Sequence, residues 1–214
     1  MKIIDPSLLA ADFGNLQREL AMINESNADW LHIDVMDGVF VPNISFGFPL
    51  MPTLKKYCTK PLDVHLMIVH PEKYVERFCD AGAWSVGFHL EAVEDPLPVL
   101  DLIKNKGVRT CLTVNPDIAV ERLFPYLDKV DMVLVMSVFA GFGGQAFIPD
   151  TLNKLRALRQ EIDHRGLKTL IEVDGGVTVD NAATIYAAGA DVLVAGSAVF
   201  HAKQPKEAID QIKR

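Results

Sequence analysis

The sequence predicts a single-domain (β/α)8 TIM barrel, in which eight parallel strands are surrounded by helices. Short apolar runs alternate eight times with longer amphipathic stretches along the 214 residues, and this strict alternation favours a parallel sheet. The length lies near the lower end for such barrels, which run from about 200 to 250 residues. No low-complexity segment, linker or shift of composition divides the chain. We therefore expect one catalytic domain over residues 1–214, with a doubly wound open sheet as the alternative.

The strands and helices follow from the spacing of apolar residues and from the turn residues between them. The predicted strands, in chain order, are Ile3–Leu9, Trp30–Asp34, Leu62–Met67, Ser85–His89, Thr110–Val114, Met132–Met136, Thr169–Asp174 and Asp191–Ala195. The predicted helices are Phe13–Asn24, Pro49–Tyr57, Pro71–Ala81, Pro96–Lys106, Val120–Leu127, Thr151–His164, Val179–Ala188 and Lys206–Lys213.

Composition and charge exclude several classes of function. The net charge is −7, and no cluster of Lys and Arg could follow a nucleic-acid backbone, so we expect no nucleic-acid partner. No apolar run reaches the length of a membrane span and no signal-peptide pattern is present, so we expect a cytoplasmic protein without a membrane partner. The three cysteines are widely spaced and form no Cys-x-x-Cys pair, which favours free thiols over a thiolate metal site.

Two histidines and two aspartates stand at the C-terminal ends of predicted strands. His32 and Asp34 lie two residues apart in the second strand and therefore face the same side, while His65 and Asp174 belong to the third and seventh strands. A lone His-x-Asp on a strand is usually a hydrogen-bonded pair, but buried carboxylates are costly unless they are paired or bind a metal. Two imidazoles and two carboxylates suit Zn²⁺, and also Mn²⁺, Co²⁺ or Fe²⁺. We predict one divalent metal ion per chain, Zn²⁺ first, and no organic cofactor.

Three glycine clusters follow the last three predicted strands. A single cluster is usually only a tight turn, but consecutive backbone N–H groups can bind an anion, and barrels commonly hold phosphate with the loops after strands seven and eight. None of the clusters contains Lys or Arg, so a phosphate site here would use backbone amides. The predicted substrate-binding residues of these clusters are Gly141, Phe142, Gly143, Gly144, Gly175, Gly176, Gly196 and Ser197.

Several motifs together resemble the ribulose-phosphate 3-epimerase family, and the resemblance covers the whole chain in order. They are Pro6-Ser-Leu-Leu-Ala-Ala-Asp-Phe13, His32-Ile-Asp-Val-Met-Asp-Gly-Val-Phe-Val-Pro-Asn43, Asp63-Val-His-Leu-Met67, Gly141-Phe-Gly-Gly-Gln145, Glu172-Val-Asp-Gly-Gly176 and Val194-Ala-Gly-Ser-Ala198. The resemblance implies an isomerase of the pentose phosphate pathway that interconverts D-ribulose 5-phosphate and D-xylulose 5-phosphate in a homo-oligomer.

The resemblance also implies roles for individual residues. Asp34 and Asp174 match the pair that exchanges the C3 proton, and with His32 and His65 they match the metal ligands. Epimerisation beside a ketone needs a proton removed from one face and returned to the other, which two carboxylates can do on either side of an enediolate, while a metal ion stabilises the developing charge. The further substrate-binding residues that the resemblance implies are Ser7, His65, Met36, Met67 and Met136.

Two departures from the family pattern leave open which phosphorylated sugar is the substrate. Before Gly141 the family usually has Asn-Pro, where this chain has Phe139-Ala140, and the stretch 115–119 lacks the usual second proline and threonine. An epimerase of another phosphorylated ketose, such as D-allulose 6-phosphate, is therefore an alternative. A metal-free lyase or decarboxylase barrel is disfavoured because its Asp-x-Lys-x-x-Asp signature does not occur in the chain. A non-catalytic sugar-phosphate sensor would be expected to lack Asp34 or Asp174, and both are present.

Overall fold

The computed structural model describes residues 2–214 and confirms the barrel predicted from the sequence. Its strands are β1 Ile3–Pro6, β2 Leu31–Met36, β3 Leu62–Met67, β4 Ser85–His89, β5 Arg109–Val114, β6 Met132–Met136, β7 Leu170–Asp174 and β8 Val192–Ala195. They form one parallel sheet in the order β1-β8-β7-β6-β5-β4-β3-β2. A single parallel bridge from Ser7 to His32 joins β1 to β2, so the sheet closes almost completely into a barrel.

Helices cover the outside of the barrel. The α-helices are α1 Leu16–Glu25, α2 Met51–Tyr57, α3 Val75–Asp80, α4 Leu97–Asn105, α5 Thr151–His164, α6 Val179–Ala187, α7 Ser197–Phe200 and α8 Pro205–Lys213. The short α7 is an addition to the predicted set and directly follows β8. Within the described residues, none of these helices has both the length and the apolar character to cross a membrane.

Several predicted elements differ from the structure in their bounds or in helix type, and three of them have a local explanation or a change of helix type. The helix predicted at Val120–Leu127 is a 3-10 helix over Val120–Tyr126, and it contains Pro125, which cannot donate the backbone hydrogen bond that an α-helix needs. The predicted strand Ile3–Leu9 ends at Pro6, because the Ser7 side chain accepts a hydrogen bond from Leu9 N and starts the 3-10 helix Leu8–Ala10. The helix predicted at Pro71–Ala81 is a 3-10 turn followed by α3.

The strands have two different faces, and this difference positions the site. Outward-facing residues such as Ile33 and Val173 belong to one large apolar cluster shared with the helices. A second, smaller apolar cluster lies among residues on the inward faces, and Ile3, Trp30 and Met132 belong to it. Polar side chains occupy other inward-facing positions, and near the C-terminal ends of β2, β3 and β7 they form the site described next.

Candidate metal centre and active site

Four side-chain atoms from three strands converge inside the barrel. Asp34 Oδ1 lies 3.4 Å from His32 Nε2 and 3.3 Å from His65 Nδ1, and His65 Nδ1 lies 3.9 Å from Asp174 Oδ2. All four residues offer ligand atoms within 4.8 Å of one another. The structure therefore brings together the four residues that the sequence predicted as one group: β2 supplies two of them, and β3 and β7 supply one each.

The two imidazole nitrogens in this group lack hydrogen-bond partners. His32 Nε2 and His65 Nδ1 are both buried and neither donate nor accept a hydrogen bond among the described residues. Buried polar atoms are almost always satisfied, and these two point at the same place as two carboxylate oxygens. Two nitrogens and two oxygens are donors that a divalent transition metal accepts, so the residues present fit such an ion.

Ser7 determines which oxygen of Asp34 faces the centre. The Ser7 hydroxyl donates a hydrogen bond of 2.5 Å to Asp34 Oδ2, and both side chains are buried. Asp34 Oδ1 is thereby left to face His32 and His65. The structure thus places Ser7 in direct contact with the candidate site.

The second nitrogen of His32 faces a layer of carboxylates below the site. Nδ1 lies 2.9 Å from Asp63 Oδ2, 3.6 Å from Asp5 Oδ2 and 3.8 Å from Glu172 Oε1. If His32 binds a metal through Nε2, then Nδ1 carries the proton and its N–H donates a hydrogen bond to Asp63, as metal-bound histidines commonly do to outer-shell carboxylates. Sequence reasoning did not assign Asp5, Asp63 and Glu172. Each lies two residues before a predicted site residue on the same strand or its extension, and this spacing was the available signal.

The charges of the site favour a cation at its centre. Burial lowers the pKa of His32, but the carboxylates of Asp34, Asp5 and Asp63 outweigh it and hold that pKa well above its usual value. Burial raises the pKa of Asp34, yet His32 and His65 outweigh it and bring the pKa below its usual range. Burial, reinforced by the nearby charge of Asp34, raises the pKa of Asp174 to about 7. The metal-free site therefore stabilises a proton where a metal ion would supply the positive charge.

A cavity of about 850 Å³ opens directly above the four-residue group. Asp34 and Asp174 reach its wall, whereas His32 and His65 lie beneath it with almost no exposure. Within the described residues, its wall contains no Lys or Arg. The predicted substrate residues that line this same cavity are Ser7, Met36, Met67, Met136, Gly141, Phe142, Gly143, Gly144, Gly175, Gly176, Gly196 and Ser197.

The loops that carry the glycines are held in place by side-chain hydrogen bonds. Ser137 Oγ donates to the carbonyl oxygen of Gly175 at 2.5 Å, and Asn181 Nδ2 donates to that of Gly176 at 2.9 Å. Asn43 Nδ2 donates at 2.8 Å to the carbonyl oxygen of Gly141, which connects the loop after β2 with the loop after β6. Asn43 and Asn181 also line the cavity. Sequence reasoning had not singled out either asparagine.

Gly176 shows why one of these positions needs glycine. Its φ is +62°, and an added Cβ would lie 2.3 Å from the backbone nitrogen of Phe147. Since a backbone atom cannot move aside as a flexible side chain can, the close approach of the loops after β6 and β7 requires a residue without a side chain.

A barrel with buried carboxylates and imidazoles beside a cavity at the C-terminal ends of its strands has the architecture of a (β/α)8-barrel enzyme. Residues 3–200 match the ribulose-phosphate 3 epimerase family. The chain therefore belongs to this family, and it is an isomerase of the epimerase type.

Individual relatives agree over nearly the full length of the chain. Ribulose-phosphate 3-epimerase from Synechocystis sp. is 46% identical over 213 residues, which cover 99% of this chain and 93% of the relative. The enzyme of the same name from Escherichia coli is 45% identical over 212 residues, with 99% and 94% covered. That from Mycobacterium tuberculosis is 43% identical over 212 residues, with 99% and 92% covered.

More distant solved structures share the fold. KGPDC from Streptococcus mutans superposes with a TM-score of 0.70 at 15% identity and covers 100% of this chain and 98% of that one. A mutant tryptophan synthase α-subunit from Pyrococcus furiosus gives a TM-score of 0.69 at 17% identity, with 99% and 94% covered. At this identity the likeness shows the barrel alone.

Proposed function

We propose that this chain is a metal-dependent ribulose-phosphate 3-epimerase that interconverts D-ribulose 5-phosphate and D-xylulose 5-phosphate in the cytoplasm. One observation carries the proposal: two buried imidazole nitrogens without hydrogen-bond partners face two carboxylate oxygens at the base of the cavity. The name shared by the relatives, at 43–46% identity, supports the substrate.

The ligands in this proposal are His32 Nε2, Asp34 Oδ1, His65 Nδ1 and Asp174 Oδ2, and Zn²⁺ is the first choice of ion. When bound, a divalent ion supplies positive charge that stabilises the negative charge developing on the ketone and hydroxyl oxygens of the substrate. The burial of both histidines keeps water away from the nitrogens that hold it.

Asp34 and Asp174 would move the proton at C3. They come from β2 and β7, which flank β1 and β8, so a substrate that enters from the cavity can lie between the two carboxylates. Each acts as the base in one direction and as the acid in the other. In the metal-free site burial raises the pKa of Asp174 to about 7, which works against the lowering of that pKa that a bound cation would cause and so helps Asp174 to accept a proton.

The glycine loops would bind the phosphate group through their backbone amides. The loops around Gly143–Gly144, Gly175–Gly176 and Gly196–Ser197 all reach the cavity wall. Since this wall has no Lys or Arg within residues 2–214, a phosphate there would depend on donors other than Lys and Arg, among them the backbone N–H groups of these loops and the Ser197 hydroxyl. Met36, Met67 and Met136 would pack against the sugar carbons, where flexible thioethers adapt to a planar intermediate.

Metal removal and a sugar panel test the proposal together. Purified protein is stripped with a chelator, and epimerisation is measured before and after stoichiometric Zn²⁺, Mn²⁺, Co²⁺ or Fe²⁺ is returned. We expect chelation to abolish turnover of ribulose 5-phosphate and one metal ion per chain to restore it. Full activity in metal-free protein would contradict the metal dependence.

The same panel separates the alternative functions. Phe139 is half exposed at the cavity rim, and Ala140 lies beside it, so allulose 6-phosphate is assayed next to ribulose 5-phosphate and unphosphorylated ribulose. Faster turnover of allulose 6-phosphate would favour the other ketose. Tight binding of sugar phosphates without turnover would favour a sensor. Sedimentation of the same sample measures the expected homo-oligomer.

A further inference from the structure

The proposed metal ligand His65 has a second ring nitrogen that points away from the cavity. His65 Nε2 lies 2.9 Å from Nε2 of His89, which is the last residue of β4. Both side chains are buried, with 1% and 0% exposure, and the rings are inclined by 23°. Two nitrogens at this distance share one proton, so one ring donates and the other accepts.

Metal binding decides the direction of this hydrogen bond. A neutral imidazole that binds a metal through Nδ1 carries its proton on Nε2. His65 Nε2–H must then donate to His89 Nε2, which places the proton of His89 on its own Nδ1. The opposite direction would put a proton on His65 Nδ1 and remove that atom as a ligand.

The groups behind His89 include an acceptor for that proton. Glu91 Oε1 lies 3.6 Å from His89 Nδ1 and is held by a 2.9 Å hydrogen bond from Asn115 N. Glu91 Oε2 is buried and has no hydrogen-bond partner among the described residues. A carboxylate can only accept, so its negative charge favours a proton on His89 Nδ1.

The Asn115 side chain, by contrast, would favour an unprotonated His89 Nδ1. Asn115 Nδ2 lies 3.4 Å from His89 Nδ1, while its Oδ1 accepts a hydrogen bond from Ala140 N. A bond donated by Asn115 Nδ2 would require His89 Nδ1 to be unprotonated. Both the Asn115 contact and the Glu91 contact to His89 Nδ1 are long for a hydrogen bond. The full negative charge of Glu91 outweighs the partial charges of the Asn115 amide, so the proton on Nδ1 is favoured.

We propose that His89 is a positioning residue for the metal centre. It accepts the Nε2–H of His65, with Glu91 behind it, and so holds His65 in the tautomer whose Nδ1 is free to bind the ion. This inference rests on the proposed metal-dependent function. It also makes the two histidine ligands different, because His32 donates to the carboxylate of Asp63 whereas His65 donates to a neutral imidazole.

Metal affinity measures this role without reference to turnover. Zn²⁺ dissociation constants are determined by competition with a chromogenic chelator for the wild type, His89→Leu and His89→Gln. Loss of an outer-shell partner typically weakens metal binding by about 10–100-fold, and we expect this for His89→Leu. Glutamine offers a carbonyl oxygen to the His65 Nε2–H, so His89→Gln should recover most of the affinity.

A buried residue on the adjacent strand gives the matched control. Thr113 pairs with His89 in the β4–β5 register, is fully buried, and its Oγ1 has no hydrogen-bond partner among the described residues. Thr113→Val changes the polarity of the barrel interior without touching His65, and we expect its Zn²⁺ affinity to equal that of the wild type. An equal loss in Thr113→Val and His89→Leu would show a general packing effect and overturn the proposal.

A second measurement uses the unaltered protein and so does not depend on whether His89→Leu folds. ¹⁵N-histidine NMR of the Zn²⁺-loaded wild type should show His65 protonated at Nε2 and His89 protonated at Nδ1. A proton on His89 Nε2, or an unchanged affinity in folded His89→Leu, contradicts the positioning role while the metal site stands. If the wild type binds no metal, the proposed function itself fails, and the two failures are distinguishable.

Discussion

The outward and inward faces of β2 differ in chemistry. In β2, the outward residues Leu31, Ile33 and Val35 are buried in the apolar cluster between sheet and helices, whereas His32 and Asp34 face the barrel interior and the candidate metal centre. The two sets alternate along six residues, Leu31–Met36. This one strand therefore contributes both to the apolar cluster that stabilises the fold and to the candidate metal centre.

The comparison shows where stability and function are separated. Burial of apolar surface on the outside stabilises the fold by roughly 25 cal/mol per Å². Burial of carboxylates on the inside lowers the stability of the fold instead. It raises the pKa of Asp5 to about 8 and that of Asp174 to about 7, which means that ionising these groups in the folded protein costs free energy. The inward face thus holds groups for chemistry at the expense of stability.

The largest expected effect comes from the inward face. Asp174→Asn removes one of the two proposed proton-transfer groups, and kcat should fall by about 10²–10⁴-fold, the usual contribution of a general acid–base group. The metal content of the variant is measured alongside kcat, since loss of a ligand alone could lower activity. A metal-replete variant with wild-type kcat would contradict the role of Asp174.

The same variant also tests the cost of the buried charge. In the metal-free protein, the pKa of Asp174 is raised from 3.8 to about 7, so between these values the folded protein binds more protons at this group than the unfolded chain does. Wild-type stability is therefore lowered as pH rises through this window, and the loss is complete above it. Asparagine does not titrate, so the metal-free variant should gain stability relative to wild type from about pH 4 to about pH 7. Urea unfolding of both metal-free proteins across this pH range measures the difference in their free energies of unfolding. A difference that does not change with pH would contradict this prediction.

The next effect should come from the outward face. Ile33 lies between His32 and Asp34 in sequence, is 1% exposed and belongs to the outer apolar cluster. Ile33→Ala should destabilise the protein by about 2–5 kcal/mol, as measured by urea unfolding. The kcat of the folded fraction at low temperature should stay near wild type. A loss of kcat as large as that of Asp174→Asn, in protein shown to be folded, would mean that the two faces are not separable.

A smaller effect is expected in the loops. In Gly176→Ala, the new Cβ meets the backbone of Phe147 at 2.3 Å, so the loops after β6 and β7 must shift, and strain of this kind costs about 1–3 kcal/mol. We expect KM for the phosphorylated ketose to rise roughly tenfold or more, with a smaller change for the unphosphorylated sugar. Gly107→Ala is the control, because Gly107 has a similar φ of +70° but open space around it. Equal changes of KM in both variants would point to backbone strain alone.

The outer layer and the four-residue group were predictable because both follow from strand alternation. Once β2, β3 and β7 were identified, residues two apart had to share a face, and this brought His32, Asp34, His65 and Asp174 together. The Val120–Tyr126 segment was predicted less well, since its apolar spacing suits an α-helix whereas the structure has a 3-10 helix that contains Pro125.

The side chains that contact the four site residues could be identified only from the three-dimensional structure. The contact of His65 with His89 joins β3 to β4 through side chains 24 residues apart, and the register of the strands decides it. The Ser7 contact with Asp34 depends on β1 ending at Pro6, a boundary that the apolar pattern extended to Leu9. Contacts of this kind are set by register and by strand ends, which hydrophobic periodicity specifies only approximately.

The central claim is that Asp34 and Asp174 transfer the C3 proton from opposite faces of an enediolate. The most direct test is a single-turnover reaction of the metal-loaded enzyme in deuterated water, followed by analysis of label at C3 in product and in unreacted substrate. With two carboxylates, the base that removes the proton is not the acid that returns one, so the product should carry solvent deuterium at C3 from the first turnover. Appreciable return of the substrate's own hydrogen to the product would indicate a single base and would contradict the account.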